Sequence, residues 1–178
     1  MQPSEAVTML EPAGWIIHTP QTWADLGCGK GIFTLALASL LPARSNIFSI
    51  DRDADSLQFI PQEYNDVKIE TIQRDITKLP PLPLLDGIIM ANSLHYIRDR
   101  DVFAKTLSSV LKENARLIIV EYDTDTANRW VPFPMSFNTL EKWARHAGFR
   151  NVRRLKERAS IYQRSKMYSA VMDVGFVK

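Results

Sequence analysis

The stretch Thr22-Trp23-Ala24-Asp25-Leu26-Gly27-Cys28-Gly29-Lys30-Gly31, followed by the apolar run from Ile32 to Leu41, decides how this chain is read. A short apolar strand ends in an acid, a glycine-rich turn follows, and a helix begins. Glycines at 27, 29 and 31 permit a left-handed backbone and let a ligand come close to the main chain. The helix start behind them leaves N–H groups without intrahelical acceptors, directed at such a ligand. The pattern D-x-G-x-G-x-G is not the dinucleotide fingerprint G-x-G-x-x-G, because Ile32 stands where the third glycine belongs. It is not a P-loop either, since Lys30 is followed by Gly31 rather than by serine or threonine. A glycine turn that merely packs a strand on a helix is the plain alternative.

The rest of the chain continues the alternation of strand and helix. Asn46 to Ile50, ending at Asp51, reads as a second strand, and Asp53 as the N-cap of a short helix through Leu57 and Ile60. Val67 to Ile72 alternates and leads into Asp75-Ile76. The connection Leu79-Pro80-Pro81-Leu82-Pro83 is too stiff and donor-poor for a helix. Leu84 to Ala91, with the run Ile88-Ile89-Met90-Ala91, reads as a fourth, fully buried strand of the kind found in a sheet covered on both faces. Phe103, Leu107, Val110 and Leu111 recur at helical spacing, Asn114 turns the chain, and Arg116 to Glu121 is a fifth strand. A helix from Ser136 buries Phe137, Leu140, Ala144 and Ala147 and stops at Gly148. Val152 to Ser160 and Met167 to Val174 close the chain as a strand pair around Gln163-Arg164-Ser165. In residues 1 to 20, Pro3, Pro12, Gly14 and Pro20 are expected to interrupt any helix, leaving a short extension held by Met9, Trp15, Ile16 and Ile17.

This order implies one domain over residues 1–178, an α/β three-layer sandwich. Its sheet is expected to be mostly parallel and seven-stranded, with an antiparallel last strand. A ligand belongs beyond the carboxyl ends of the strands, at the switch point beside the first. The residues at 25–31, 51, 75–76 and 92 all follow such ends, which favours a functional site over a packing turn.

Composition narrows the class. The chain has 178 residues, 46% of them hydrophobic and 24% charged, as in an ordinary globular protein. A net charge of +2 argues against a dedicated nucleic-acid binder. Arg150, Arg153, Arg154, Lys156 and Arg158 cluster late; a solvated strand face is the first reading, and an RNA or acidic-substrate surface the second. One cysteine excludes an internal disulfide and fits a reducing compartment. No apolar run approaches the roughly 20 residues that span a membrane, and no secretory signal is visible. A cytoplasmic protein is expected.

Asp51 lies 20 residues beyond Gly31, where a carboxylate can accept hydrogen bonds from both hydroxyls of a ribose. Its charge would repel a 2′-phosphate, so Arg52 beside it is read as solvated or lying against an adenine face. The glycine motif resembles motif I of the class I S-adenosylmethionine (SAM)-dependent methyltransferases, which carry a Rossmann-like fold. The resemblance extends to Asp75-Ile76, to the fourth-strand stretch Asp86 to Tyr96, to the turn Glu113-Asn114-Ala115, where the family more often has P-G-G, and to Ala147-Gly148-Phe149. It implies that Asp25, Gly27 and Gly29 hold the methionine end of SAM, Asp51 the ribose, and Asp75 with Ile76 the adenine. Asn92 would touch the methionine or the methyl-donor mouth. Cys28, inside the loop, is a small packing residue before it is a reactive thiol.

Methyl transfer asks mainly for positioning and exclusion of water, with removal of a proton where the acceptor carries one. The resemblance then implies transfer from SAM to a small-molecule acceptor, leaving S-adenosylhomocysteine. His95 is the candidate base, against an imidazole that only braces its loop. Tyr96, Tyr122, Trp130 and Phe133 are candidate acceptor contacts, since cations favour ring faces; packing competes for each. Trp130 to Pro134 reads as a wall or lid. No N/D-P-P-Y/F sequence follows the fourth strand, which disfavours DNA adenine as acceptor. His18 and His146 show no partner pattern, and no metal site is expected. Two rivals stay open: a non-catalytic SAM-binding module completed by a second subunit, a homodimer included, and an NAD(P)-dependent oxidoreductase, which Ile32 disfavours.

Overall fold

A computed structural model describes residues 2–11, 18–159 and 166–175. Strand β1 (Thr22–Leu26) runs parallel to β2 (Asn46–Asp51) on one side and to β5 (Leu85–Ala91) on the other. The chain winds outward from β1 through β2 to β4 (Val67–Gln73), then returns to β5 and continues to β6 (Leu111–Tyr122). Strand β8 (Lys166–Val174) pairs antiparallel with β6 and with β7 (Phe149–Ala159), so β7 points the same way as β6. The order is β3-β4-β2-β1-β5-β6-β8-β7. The reversal of winding between β1 and β5 opens a crevice at their carboxyl ends.

The expected seven strands are there, and an eighth joins them. Strand β3 (Glu63–Tyr64) forms a two-residue hairpin with β4. Asn65 and Asp66 make its turn with φ of 51° and 58°, the left-handed pair that a tight hairpin demands.

Helices cover both faces, and alternate strand residues serve each. On one face α1 (Pro3–Leu10) and α2 (Ile32–Leu40) pack over Trp23, Ile47, Ile89 and Ile118. On the other, α4 (Arg100–Val110) and α5 (Phe137–His146) cover Ala24, Ile88, Met90 and Leu117. The short α3 (Ala54–Leu57) begins at Asp53, whose carboxylate accepts the Asp55 N–H and the Ser56 hydroxyl. The β4–β5 crossing has no helix; Leu79 and Leu82 of the proline-rich segment pack on the core in its place.

Helix α1 corrects the expectation of a broken N-terminus. Pro3 occupies the first helical position, where its missing N–H costs nothing. Gln2 and Glu5 form a capping box, and Ala6, Met9 and Leu10 are buried. Trp15, Ile16 and Ile17, and the turn expected at 163–165, lie outside the described residues.

Candidate functional site

Two adjoining cavities open at the carboxyl ends of the parallel strands, divided by Gly27, Gly29 and Asn92, which line both. The larger, about 440 Å³, runs from the glycine loop past Asp51 and Arg52 to Asp75 and Ile76, with Tyr96 on its far wall. The smaller, about 280 Å³, holds Asp25 and Cys28 at one end and Tyr122, Met167 and Arg158 at the other. Asp25, Gly27, Cys28, Gly29, Asp51, Arg52, Asp75, Ile76 and Asn92, separate in sequence, are thus brought to one crevice.

The glycine loop is held from beneath. Gly27 and Cys28 donate their N–H groups to the Ile50 carbonyl at 2.8 and 3.2 Å. Asp51 accepts the Gly29 N–H at 2.8 Å through Oδ2 and the Asp53 N–H at 2.9 Å through Oδ1. Two of the glycines are required for different reasons. A Cβ on Gly27 (φ 80°) would stand 2.5 Å from Cβ of Ser93, whose hydroxyl donates to the Leu26 carbonyl. A Cβ on Gly29 (φ 51°) meets nothing within 4 Å, so a side chain there would enter open space in the crevice.

Asp25 is fully buried. Its Oδ2 accepts the Thr34 hydroxyl at 2.6 Å, while Oδ1 has no donor among the described residues. Burial pushes this carboxyl up to about 7; the Thr34 hydrogen bond opposes the rise and the Asp51 charge adds to it. Asn92 (φ 54°) presents a second buried acceptor, Oδ1, that has no partner among the described residues. Asp75 accepts the Thr77 N–H at 2.9 Å and its hydroxyl at 2.8 Å, which lowers its pKa below the usual range. Burial, and then the charges of Asp25 and Asp51, push the Cys28 thiol far up, so it stays a protonated packing group.

His95 sits in a single 3-10 turn (Leu94–Tyr96) after β5 and is only 3% exposed. Its Nδ1 lies 2.8 Å from Glu121 Oε2, and its backbone N–H donates to the other oxygen of the same carboxylate at 3.1 Å. Glu121, at the end of β6, is 1% exposed. The imidazole lies against Tyr96 and Tyr122, at ring separations of 4.3 and 6.3 Å. It lines neither cavity, whereas Tyr96 lines the larger and Tyr122 the smaller.

Trp130 and Phe133 line neither cavity. Trp130 is 70% exposed under the Arg129 guanidinium, and Phe133 packs beneath Arg98. The segment does reach the His95 loop, because the Phe133 N–H donates to the His95 carbonyl at 3.0 Å. Sequence reasoning missed Ser93, Phe33, Met167 and Arg158. Arg158 departs most from its expected place on a solvated face, for it turns into the smaller cavity. Nothing local to β7 signals this, since the cavity is assembled from five strands and the start of α2.

Comparison with known proteins agrees with this geometry. Residues 18–172 match the family model described as a methyltransferase domain. No curated protein matches the chain. Among solved structures, it is similar to a SAM-dependent methyltransferase from Aquifex aeolicus, with a TM-score of 0.67, 17% identity, and 98% and 99% of the two chains covered. An arsenic(III) SAM methyltransferase from Chlamydomonas reinhardtii gives a TM-score of 0.71 at 16% identity, covering 98% of this chain and 71% of that one. Magnesium protoporphyrin IX methyltransferase from Synechocystis gives 0.64 at 14% identity, covering 96% and 76%. The chain therefore belongs to the methyltransferase-domain family, as an enzyme of class I that takes its methyl group from SAM.

Proposed function

We propose that SAM lies across the crevice with its nucleoside in the larger cavity and its amino-acid end against Asp25 and Asn92, facing a small-molecule acceptor in the smaller cavity. The observation that carries this reading is the pair of buried oxygens without donors among the described residues, Asp25 Oδ1 and Asn92 Oδ1, beside the bare backbone of Gly29. A buried acceptor left unsatisfied is costly, and an ammonium group supplies the missing donor. Asp51 is suited to the ribose hydroxyls, and Asp75 with the Ile76 N–H to the adenine edge, with Arg52 lying along the same wall. Bound there, SAM supplies a methyl group on a positive sulfur, which passes in line to the acceptor and leaves S-adenosylhomocysteine.

The protein's own part is to orient and to keep water out. Gly27 and Gly29 admit close approach, while Tyr96 and Tyr122 stand at the two cavities where ring faces can meet a sulfonium. His95 is given a positioning role: clamped by Glu121, it holds both tyrosines and reaches neither cavity. The lid assigned to Trp130 and Phe133 becomes a surface beside the His95 loop. A small acceptor is favoured by cavity size and by the neighbours with arsenic(III) and a magnesium porphyrin in their names. The single free cysteine, Cys28, is in keeping with a cytoplasmic location.

Calorimetry with SAM tests the reading. Asp51→Ala is expected to weaken binding by about 1–3 kcal/mol, the range for hydrogen bonds to a charged group. Unchanged affinity would remove Asp51 from the site. Methyl release on a panel of small acceptors then separates an enzyme with a small substrate from a module that binds SAM without turnover.

A further inference from the structure

The ends of β6, β8 and β7 wall the smaller cavity with Tyr122, Met167 and Arg158. The basic residues of β7 are not equivalent. Arg154 pairs with Glu157 and Asp123 and covers the Phe137 ring. Arg158 turns inward, its side chain only 20% exposed. One nitrogen, Nη2, lies 3.0 Å from Glu5 Oε1 of α1. The other, Nη1, is buried without an acceptor among the described residues. A guanidinium cannot shed its proton to escape that situation.

The surroundings specify what would satisfy it. Phe33, Tyr122 and Met167 give the cavity apolar walls, with Tyr122 and Met167 beside Arg158. Among the described residues its only lining carboxylate is Asp25, at the opposite end. Strand order separates β7 from β1 by four steps, about 19 Å at the usual strand spacing. A SAM tail anchored at Asp25 and Asn92 occupies the β1–β5 side of the cavity and leaves the β7 side for the acceptor. We propose that the acceptor carries a carboxylate and that Arg158 binds it, with the apolar walls of the cavity receiving the acceptor's carbon skeleton. A guanidinium pairs with carboxylates and phosphates alike through charge-assisted hydrogen bonds; with Nη2 engaged by Glu5 and a cavity of about 280 Å³, the smaller carboxylate is the better match for Nη1. The inference rests on the methyltransferase reading and names the substrate class for it.

The test uses the full chain saturated with S-adenosylhomocysteine and matched pairs of small carboxylic acids and their amides, aliphatic and aromatic, titrated by calorimetry. The wild type is expected to favour acid over amide by tenfold or more for the skeletons that bind. Arg158→Gln should bring that ratio near one, and Arg158→Lys should keep part of it. Glu5→Gln breaks the same link between α1 and β7 but leaves the guanidinium, so the acid preference should survive. No acid preference in the wild type would overturn the proposal, as would a preference unchanged in Arg158→Gln or lost equally in Glu5→Gln. It would also fall if Arg158→Gln weakened SAM tenfold but spared decarboxylated SAM, because the carboxylate bound would then be the donor's. Failure of the wild type to bind SAM at all would overturn the methyltransferase reading instead.

Discussion

At Asp25 a single carboxyl links stability, pH and ligand. The folded chain holds its proton up to about pH 7, whereas an unfolded chain releases it near pH 4. Between those values the native state binds more protons than the unfolded one, so this group's contribution to stability falls as pH rises. It is fully present below pH 4, falls by on the order of 4 kcal/mol, and is level above pH 7. Asp53, Asp75 and Asp125, with lowered pKa values, act in the opposite sense but equally in a variant that retains them. Urea unfolding of the ligand-free wild type and Asp25→Asn should therefore show a stability difference that grows in the variant's favour from pH 4.5 to 7.5. Parallel pH dependences would show that Asp25 is ionised across that range. The two loop glycines give a second contrast. Gly27→Ala drives a methyl group into Ser93 and should cost at least about 1–3 kcal/mol of stability. Gly29→Ala should cost about 1–2 kcal/mol for the left-handed backbone alone, yet weaken SAM at least tenfold, because its methyl group fills ligand space. A Gly29→Ala protein with wild-type affinity would place the ligand elsewhere.

Among the elements, the turn after β5 and the end of β6 are joined by the buried His95–Glu121 pair. Removing one partner of such a pair strands the other, at about 3–5 kcal/mol. His95→Ala is expected to lose stability of that order by chemical denaturation, and Glu121→Gln less, since an amide still accepts the His95 N–H. A loss under 1 kcal/mol for His95→Ala would mean that the pair is not what fixes this turn. The start of β6 shows how local chemistry substitutes for a motif. Where the family more often has P-G-G, Asn114 takes φ of 61° within Glu113-Asn114-Ala115, inside the strand and without a glycine. Asparagine tolerates that conformation, and the pairing with β5 shifts across it, from Leu85↔Leu111 to a regular register from Gly87↔Arg116 to Ala91↔Val120.

On the scale of the whole molecule, ligand binding and folding are linked through the crevice. SAM at a hundredfold excess over its dissociation constant should stabilise the protein by about 2.7 kcal/mol. For a chain of this size that raises the melting temperature by about 5–10 °C. S-adenosylhomocysteine should act similarly and NAD should not, because Ile32 replaces the glycine that NAD requires. An equal shift with NAD would return the dinucleotide reading to the front.

The alternation of apolar strands and helices, the glycine loop, and acids at strand ends were legible in sequence because each is a local pattern with a period or a fixed spacing. They settled the α/β class and pointed to SAM, and they named nine of the residues that line the crevice, from Asp25 to Asn92. Other features needed the fold. Helix α1 was hidden by prolines whose harm depends on helix position, and β3 by a turn that only pairing with β4 reveals. The burial of His95 against Glu121 and the inward turn of Arg158 follow from strand order, which brings together residues 26 and 153 positions apart in the chain. No local pattern encodes such meetings, because they are set by which strands become neighbours and which helix covers them.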